Sequence, residues 1–316
     1  MKKIPNSIVF DVDGVLLDVS KSYLCAIKQT VHYLVNFFDP SRDITIKLLT
    51  DDLIFRFRRS GRFNNDVDTT YAILASILCK RDDGIDLGKY LSYIADYKSF
   101  NGLESVETYL FSINYQRMRS LKKFINYPGD IYNSVVTRIF DEHYYGSKLF
   151  KKRYGIGPKY YFRKGLILNE KKLINNDTIK LLHAYFGGRL GIVSGRSKLA
   201  TTVSLKSSQR YFDIRGSVFL DDESRELAKP NPYGLKMCMK NLCSDTAFYV
   251  GDSVEDIMMT TEANKEMRDS VLFIGVCGKN ARSQSIKEYF LNSGATFVVE
   301  VTDDIPNILN KVQNYL

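Results

Sequence analysis

Residues 8–18 read Ile-Val-Phe-Asp-Val-Asp-Gly-Val-Leu-Leu-Asp: an apolar run, two carboxylates one residue apart, then a glycine. Alternate side chains of a strand share a face, so Asp11 and Asp13 are placed to meet one site at the strand's C-terminal end. In open α/β sheets that end is where ligands bind. Two carboxylates this close repel each other unless a cation or a shared proton relieves them. Gly14 permits a sharp turn directly afterwards. The pattern suits a hard divalent metal and leaves one carboxylate free to act as a nucleophile.

The 316 residues are enough for roughly two domains of about 150 residues. Strand-like runs recur at Ser7–Phe10, Leu190–Val193, Ser217–Leu220, Ala247–Val250 and Val271–Val276, with a last short strand at Thr296–Val301. Helical patterns lie between or after them at Asp177–Phe186, Pro232–Leu242, Val254–Ala263, Ser283–Asn292 and Ile305–Tyr315. This alternation predicts a doubly wound, Rossmann-like α/β core with a parallel sheet. Between the first strand and the second the alternation is lost. Ser20–Phe38 carries Tyr23, Leu24, Ile27, Val31, Leu34 and Val35 at helical spacing, and Thr69–Leu78, Leu87–Tyr97, Val106–Ile113 and Ile131–Phe140 are shorter helix candidates. The reading is a mostly α-helical domain over 18–172 inserted into a core of 1–17 and 173–316. Gly155–Gly165, rich in glycine and aromatics, is its expected return path.

Charge follows the same division. Residues 18–172 hold 26 Lys and Arg against 17 Asp and Glu, an excess equal to the chain's whole net charge of +9. A basic insert favours anionic partners. No apolar run approaches the ~20 residues a membrane helix needs. The apolar stretch after Met1-Lys2-Lys3 is short and ends in Asp11, so no secretory signal is expected and the expected location is the cytoplasm. The five cysteines, Cys25, Cys79, Cys238, Cys243 and Cys277, are scattered; only Cys238 and Cys243 are close, with no histidine near those two to complete a zinc site, so reduced thiols are expected. His32, His143 and His183 are far apart in helix-like segments and read as structural or surface residues. No interface signature indicates an oligomeric state.

Three further segments end predicted strands. Gly191-Ile192-Val193-Ser194-Gly195-Arg196 offers a hydroxyl and exposed amides, a compact anion cradle, though Ser-Gly is equally an ordinary turn. Lys229-Pro230-Asn231-Pro232 sets a lysine before a rigid turn; by itself it is a solvated loop lysine. Gly251-Asp252-Ser253-Val254-Glu255-Asp256 places one acid at a strand tip and another about one helical turn on. In this order, Asp-x-Asp-Gly, Ser, Lys-Pro and Gly-Asp-x-x-x-Asp, the motifs resemble the haloacid dehalogenase superfamily, in its phosphatase-like branch with a helical cap inserted after the first motif. The resemblance spans the core; the insert is similar in position and helical character more than in motif.

That resemblance implies roles. Asp11 would be the nucleophile that forms an aspartyl-phosphate. Asp13 would protonate the leaving oxygen and later deprotonate water, which asks nearby charge to raise its pKa. Ser194, Gly195 and Lys229 would hold the phosphoryl oxygens. Asp11, Asp252 and the backbone carbonyl of Asp13 would hold Mg2+, with Asp256 supporting. Residues 14–18 would be the mobile element that switches the cap. Superfamily members that cleave carbon–halogen bonds lack the second acid, so Asp13 argues for phosphate esters. The expected activity is magnesium-dependent hydrolysis of a phosphate monoester of a small metabolite. The alternatives are a phosphomutase on the same core and a catalytically idle binding protein.

Rival motifs fail on spacing. A calcium loop needs ligands through its twelfth position and a preceding helix; here a strand precedes and Val15, Leu16 and Leu17 are apolar. No Gly-x-x-x-x-Gly-Lys-[Ser/Thr] run exists. Residues 55–63 interleave arginine and phenylalanine. That pattern fits a loop gripping an anionic substrate with Asn64, Asn65 and Asp66, a helix face with buried phenylalanines, or, third in order, single-stranded nucleic acid. Lys148–Arg153 with Lys159, Arg163 and Lys164 reads as a solvated charge run.

Overall fold

The computed structural model describes residues 5–42, 46–59, 65–97, 102–279 and 283–314. The chain divides into two compact units, 1–19 with 170–316, and 20–169.

Unit 20–169 is helical: α1 (Tyr23–Phe38), α2 (Asp51–Arg59), α3 (Asp66–Cys79), α4 (Leu87–Asp96), α5 (Leu103–Ile113), α6 (Tyr115–Ile125) and α7 (Val135–Tyr154). Helix α3 is its hub. Residues 68–79 of α3 are all buried, because Tyr71, Ala72, Ile73, Leu74, Ala75, Ile77 and Leu78 present apolar surface on every side. Two of these helices, α2 and α6, are not among those the sequence pattern predicts, although each has a buried apolar face, Leu53, Ile54 and Phe57 in one and Met118, Leu121 and Ile125 in the other. Helix α2 is dominated by aspartate and arginine, and α6 by arginine and lysine. Helix α7 starts later than 131 and runs well past 140. Asp130 Oδ1 accepts from the amides of Tyr132 and Asn133, which keeps 130–133 in a turn, and Ser134 caps the helix through the Thr137 amide. Gly146 breaks its geometry at φ 66° and ψ 170°. Of the Arg/Phe-rich stretch, 60–64 and the side chains of Arg58 and Arg59 lie outside the described residues, so that motif is not decided.

The other unit holds the sheet. Its strands are β1 (Ser7–Phe10), β2 (Leu17–Asp18), β3 (Lys171–Lys172), β4 (Leu190–Ser194), β5 (Val218–Phe219), β6 (Ala247–Gly251), β7 (Val271–Val276) and β8 (Phe297–Val299). Its helices are α8 (Asn176–Tyr185), α9 (Lys198–Leu205), α10 (Tyr233–Asn241), α11 (Val254–Met267), α12 (Ser283–Asn292) and α13 (Ile305–Asn314). Six strands form one parallel sheet in the order β5-β4-β1-β6-β7-β8, and β2 and β3 make a separate antiparallel ribbon. Strand β1 is covered on both faces, as parallel strands require. Ile8 and Phe10 join one core with Ile192, Phe248, Val250 and Ile274, whereas Val9 joins the other with Val193, Tyr249 and Phe273. Its register puts Phe10 beside Ile192 on one flank and Val250 on the other. Asp11, Ser194 and Asp252 therefore emerge together from adjacent strand ends, at the point where the strand order reverses. This is the doubly wound core the sequence predicts.

Candidate active site

The residue after β1 is Asp11, which is 7% exposed; its amide donates to the Val250 carbonyl at 2.8 Å. The chain then folds back within one turn. The amides of Leu16 and Leu17 both donate to the Val12 carbonyl, and Gly14 adopts φ +73°. Gly14 is needed for space as well as for conformation, because a Cβ there would sit 1.9 Å from Asp252 Oδ2. Thr302 Oγ1 fastens the same turn by donating to the Val15 carbonyl at 2.6 Å.

Lys229 reaches this point from the loop after β5. Its Nζ lies 2.9 Å from Asp11 Oδ1 and 2.7 Å from Asp256 Oδ1. Burial alone would push the Lys229 ammonium down, but Asp11 and Asp256 outweigh it and hold the group up, charged. Burial pushes the Asp11 carboxyl the other way, up to about 7, with Lys229 opposing and Asp256 and Asp13 adding repulsion. Burial and the Asp11 and Asp256 charges push Asp252 well above the usual carboxylate range, although its outer face is open to solvent.

Asp256 is saturated by comparison. Oδ1 accepts from Lys229 Nζ and from the Tyr249 hydroxyl at 2.8 Å. Oδ2 accepts from the Asp252 and Ser253 amides at 3.2 and 3.1 Å and from Ser253 Oγ at 2.7 Å. Ser253 in return caps α11. Gly251 makes the approach possible, since a Cβ there would meet Asp256 Cβ at 2.5 Å.

Oxygens of Asp11, Asp252 and Asp256 lie within 4.8 Å of one another. Such a hard-oxygen set fits a divalent cation such as Mg2+. Because five donors already occupy Asp256, its place is to orient Lys229 and the Asp252 backbone. Asp11 and Asp252 are the side chains left to hold a metal. The Asp13 carboxylate is not part of this cluster.

On the β4 side, Ser194 is buried, and its Oγ accepts from the Arg196 amide at 3.3 Å. Gly195 leaves open space on its Cβ side. Arg196 is the residue the sequence reading passed over. Its side chain is 1% exposed, and Nη1 donates to Asp13 Oδ1 at 2.9 Å while Nη2 meets Glu170 Oε2 at 2.8 Å. Sequence reasoning asks for negative charge around Asp13; Asp11 supplies it, but the structure also sets this guanidinium against the carboxylate. Nothing local signals the contact, because the partners lie 183 and 26 residues away in sequence.

The histidines and cysteines stay out of the site. His183 Nδ1 meets the Tyr211 carbonyl, His143 pairs with Thr30, and His32 with Asn36. All five cysteines are free thiols. Among the described residues no helix is long and apolar enough to cross a membrane.

Known structures share this architecture end to end. A structural-genomics protein, Northeast Structural Genomics Consortium target ZR25, superposes with a TM-score of 0.67 at 17% identity, covering 99% of this chain and 100% of that one. Phosphatase Tt82 from Thermococcus thioreducens superposes with a TM-score of 0.55 at 20% identity over 91% of this chain and 99% of that one. These likenesses show a shared fold: a parallel α/β sheet unit with a helical unit inserted after its first strand. No family model matches the sequence, and no curated protein matches it.

Proposed function

We propose that the protein is a haloacid dehalogenase-type, Mg2+-dependent phosphatase that hydrolyses a phosphate monoester of a small metabolite through an aspartyl-phosphate. The observation that carries this reading is the buried Asp11 carboxylate held against Lys229, with Asp252 facing it across the Gly14 turn. The fold likeness to a protein named a phosphatase supports the same class.

Asp11 attacks phosphorus and forms the new O–P bond. The bond to the alcohol oxygen breaks, and that oxygen takes a proton from Asp13. Water then attacks phosphorus and gives its proton to Asp13, releasing inorganic phosphate and free Asp11. Lys229 faces the negative charge that phosphoryl transfer spreads over the equatorial oxygens, and Ser194 and Gly195 border the same strand ends. Asp11, Asp252 and the Asp13 carbonyl would hold the metal, whose chemistry is to neutralise phosphoryl charge and offset repulsion between Asp11 and an anionic substrate. The helical unit, which carries the basic excess, would serve as a substrate-selecting cap in a cytoplasmic enzyme.

The test is phosphate release from a panel of phosphorylated metabolites, with and without Mg2+, with Asp11→Asn alongside. Release by the wild type that disappears with chelator and in the variant is the expected result. Retained turnover in Asp11→Asn would sink the nucleophile assignment. Silence on every compound, with no phosphoryl group trapped on Asp11, would leave an idle binding protein.

A further inference from the structure

Asp13 is held by a buried chain of charge that the proposed chemistry does not use. Arg196 lies between two carboxylates, Asp13 at 2.9 Å and Glu170 at 2.8 Å, and both Arg196 and Glu170 have side chains only 1% exposed. Ser204 closes the group: its hydroxyl donates to Glu170 Oε2 and accepts from Arg196 Nη2 at 3.3 Å. Each member has a fixed anchor. Arg196 lies two residues past the end of β4, with its amide on Ser194. Ser204 is in α9. Glu170 immediately precedes β3, whose partner β2 leaves the Asp13 turn, with Leu17 opposite Lys172.

We propose that Arg196, braced by Glu170, is a positioning residue that fixes the Asp13 carboxyl for proton transfer to the leaving oxygen. This rests on the phosphatase reading above and extends it. A buried guanidinium is planar and cannot lose its proton, so its two edges set the separation and angle of two carboxylates at once. Asp13 projects from the tight turn that follows β1. The clamp ties that turn to the end of β4 and to the start of β3, so the side chain is set by three separate pieces of backbone. General acid catalysis depends on this kind of placement before it depends on acidity.

Leaving-group dependence separates this role from a general structural one. An alkyl phosphate needs its leaving oxygen protonated, whereas p-nitrophenyl phosphate releases a stable phenolate. kcat/KM reports the steps through transfer to Asp11, before water enters. For Arg196→Met, kcat/KM on an alkyl phosphate should fall about 100-fold, and on p-nitrophenyl phosphate no more than about fivefold, the size of effect a misplaced general acid produces. Arg196→Lys, a point charge without the fork, should recover part of the alkyl activity. Glu170→Gln keeps shape and loosens the brace, so it should show the same selectivity at smaller size; it carries the test if Arg196→Met fails to fold by circular dichroism.

Equal losses on both substrates would put Arg196 at the phosphoryl group or in the scaffold and overturn the proposal, as would unchanged kinetics on both. Failure of the parent reading looks different. It shows as wild-type protein inactive on both esters, or as Asp11→Asn that still turns over, and it removes this inference too.

Discussion

Two carboxylates, Asp256 in the sheet unit and Glu142 in the helical unit, are both fully buried and both hydrogen-bonded at each oxygen. Asp256 accepts from five donors, described above. Glu142 pairs with Arg138 at 2.9 Å and accepts from the amides of Lys159, Tyr160 and Tyr161 at 2.8, 2.6 and 2.9 Å. The difference lies next door. Glu142 is a strut that pins 159–161 against α7, its bonds going to Arg138 and to three backbone amides. Asp256 uses its donors to aim Lys229 at Asp11 and to order the backbone under Asp252. A saturated acid builds structure wherever it stands. Only around Asp256 are the partners shared with other acids, Asp11 and Asp252, whose mutual repulsion invites a cation.

Substitutions can break this contrast, starting with the largest effect. Asp11→Asn should lower turnover by about 10⁴-fold or more with circular dichroism unchanged, since a nucleophile has no substitute in its own step. Asp256→Asn and Glu142→Gln should each cost about 1–3 kcal/mol in denaturant unfolding, because each weakens the charge-assisted hydrogen bonds of a fully buried carboxylate. Only Asp256→Asn should also weaken magnesium activation. An equal loss of magnesium affinity in Glu142→Gln would erase the distinction between strut and site.

A third prediction concerns pH. Burial pushes the His143 imidazole down to about 4, with Glu142 opposing, and its Nδ1 lies 3.2 Å from Thr30 Oγ1. The unfolded chain then binds the proton more readily than the folded one. Stability from neutral His143 is full above its ordinary value near 6.5 and is lost as pH falls from there towards 4. The loss should reach about 3 kcal/mol at low pH. Unfolding midpoints measured between pH 7 and 4 should flatten in His143→Gln; an unchanged slope would reject the assignment. Smallest is Gly14→Ala, where a Cβ meets Asp252 Oδ2 at 1.9 Å and φ is +73°. It should cost about 1–2 kcal/mol and raise the magnesium concentration for half-activation several-fold. Unaltered magnesium titration would mean that the turn and Asp252 are not coupled.

Much of the sheet unit was legible because parallel strands are buried on both faces and so read as continuous apolar runs. Residues at their ends, Asp11, Ser194 and Asp252, inherit their place from that reading. Strand β5 is shorter than the run 217–220, since a 3₁₀ turn takes over at Leu220. Helices α2 and α6 escaped because charged residues dominate them and leave only a narrow apolar face. Arg196 escaped for a different reason. A buried cation is specified by partners far along the chain, and the sequence around it reads as an ordinary turn. The place of Asp256 beside the Asp252 strand end was legible, but not the five donors that meet its carboxylate.

The β2–β3 ribbon has a consequence for how such a chain can change. Its register places Leu17 beside Lys172 and Asp18 beside Lys171, so the exit from the sheet unit and the return to it are neighbours in one hydrogen-bonded pair. Everything spliced between them closes a loop whose ends are already fixed. The entropy of closing a loop grows only logarithmically with its length. Lengthening, trimming or exchanging residues 20–169 therefore leaves the sheet's connectivity untouched, and the sheet unit can keep its architecture while its insert is replaced.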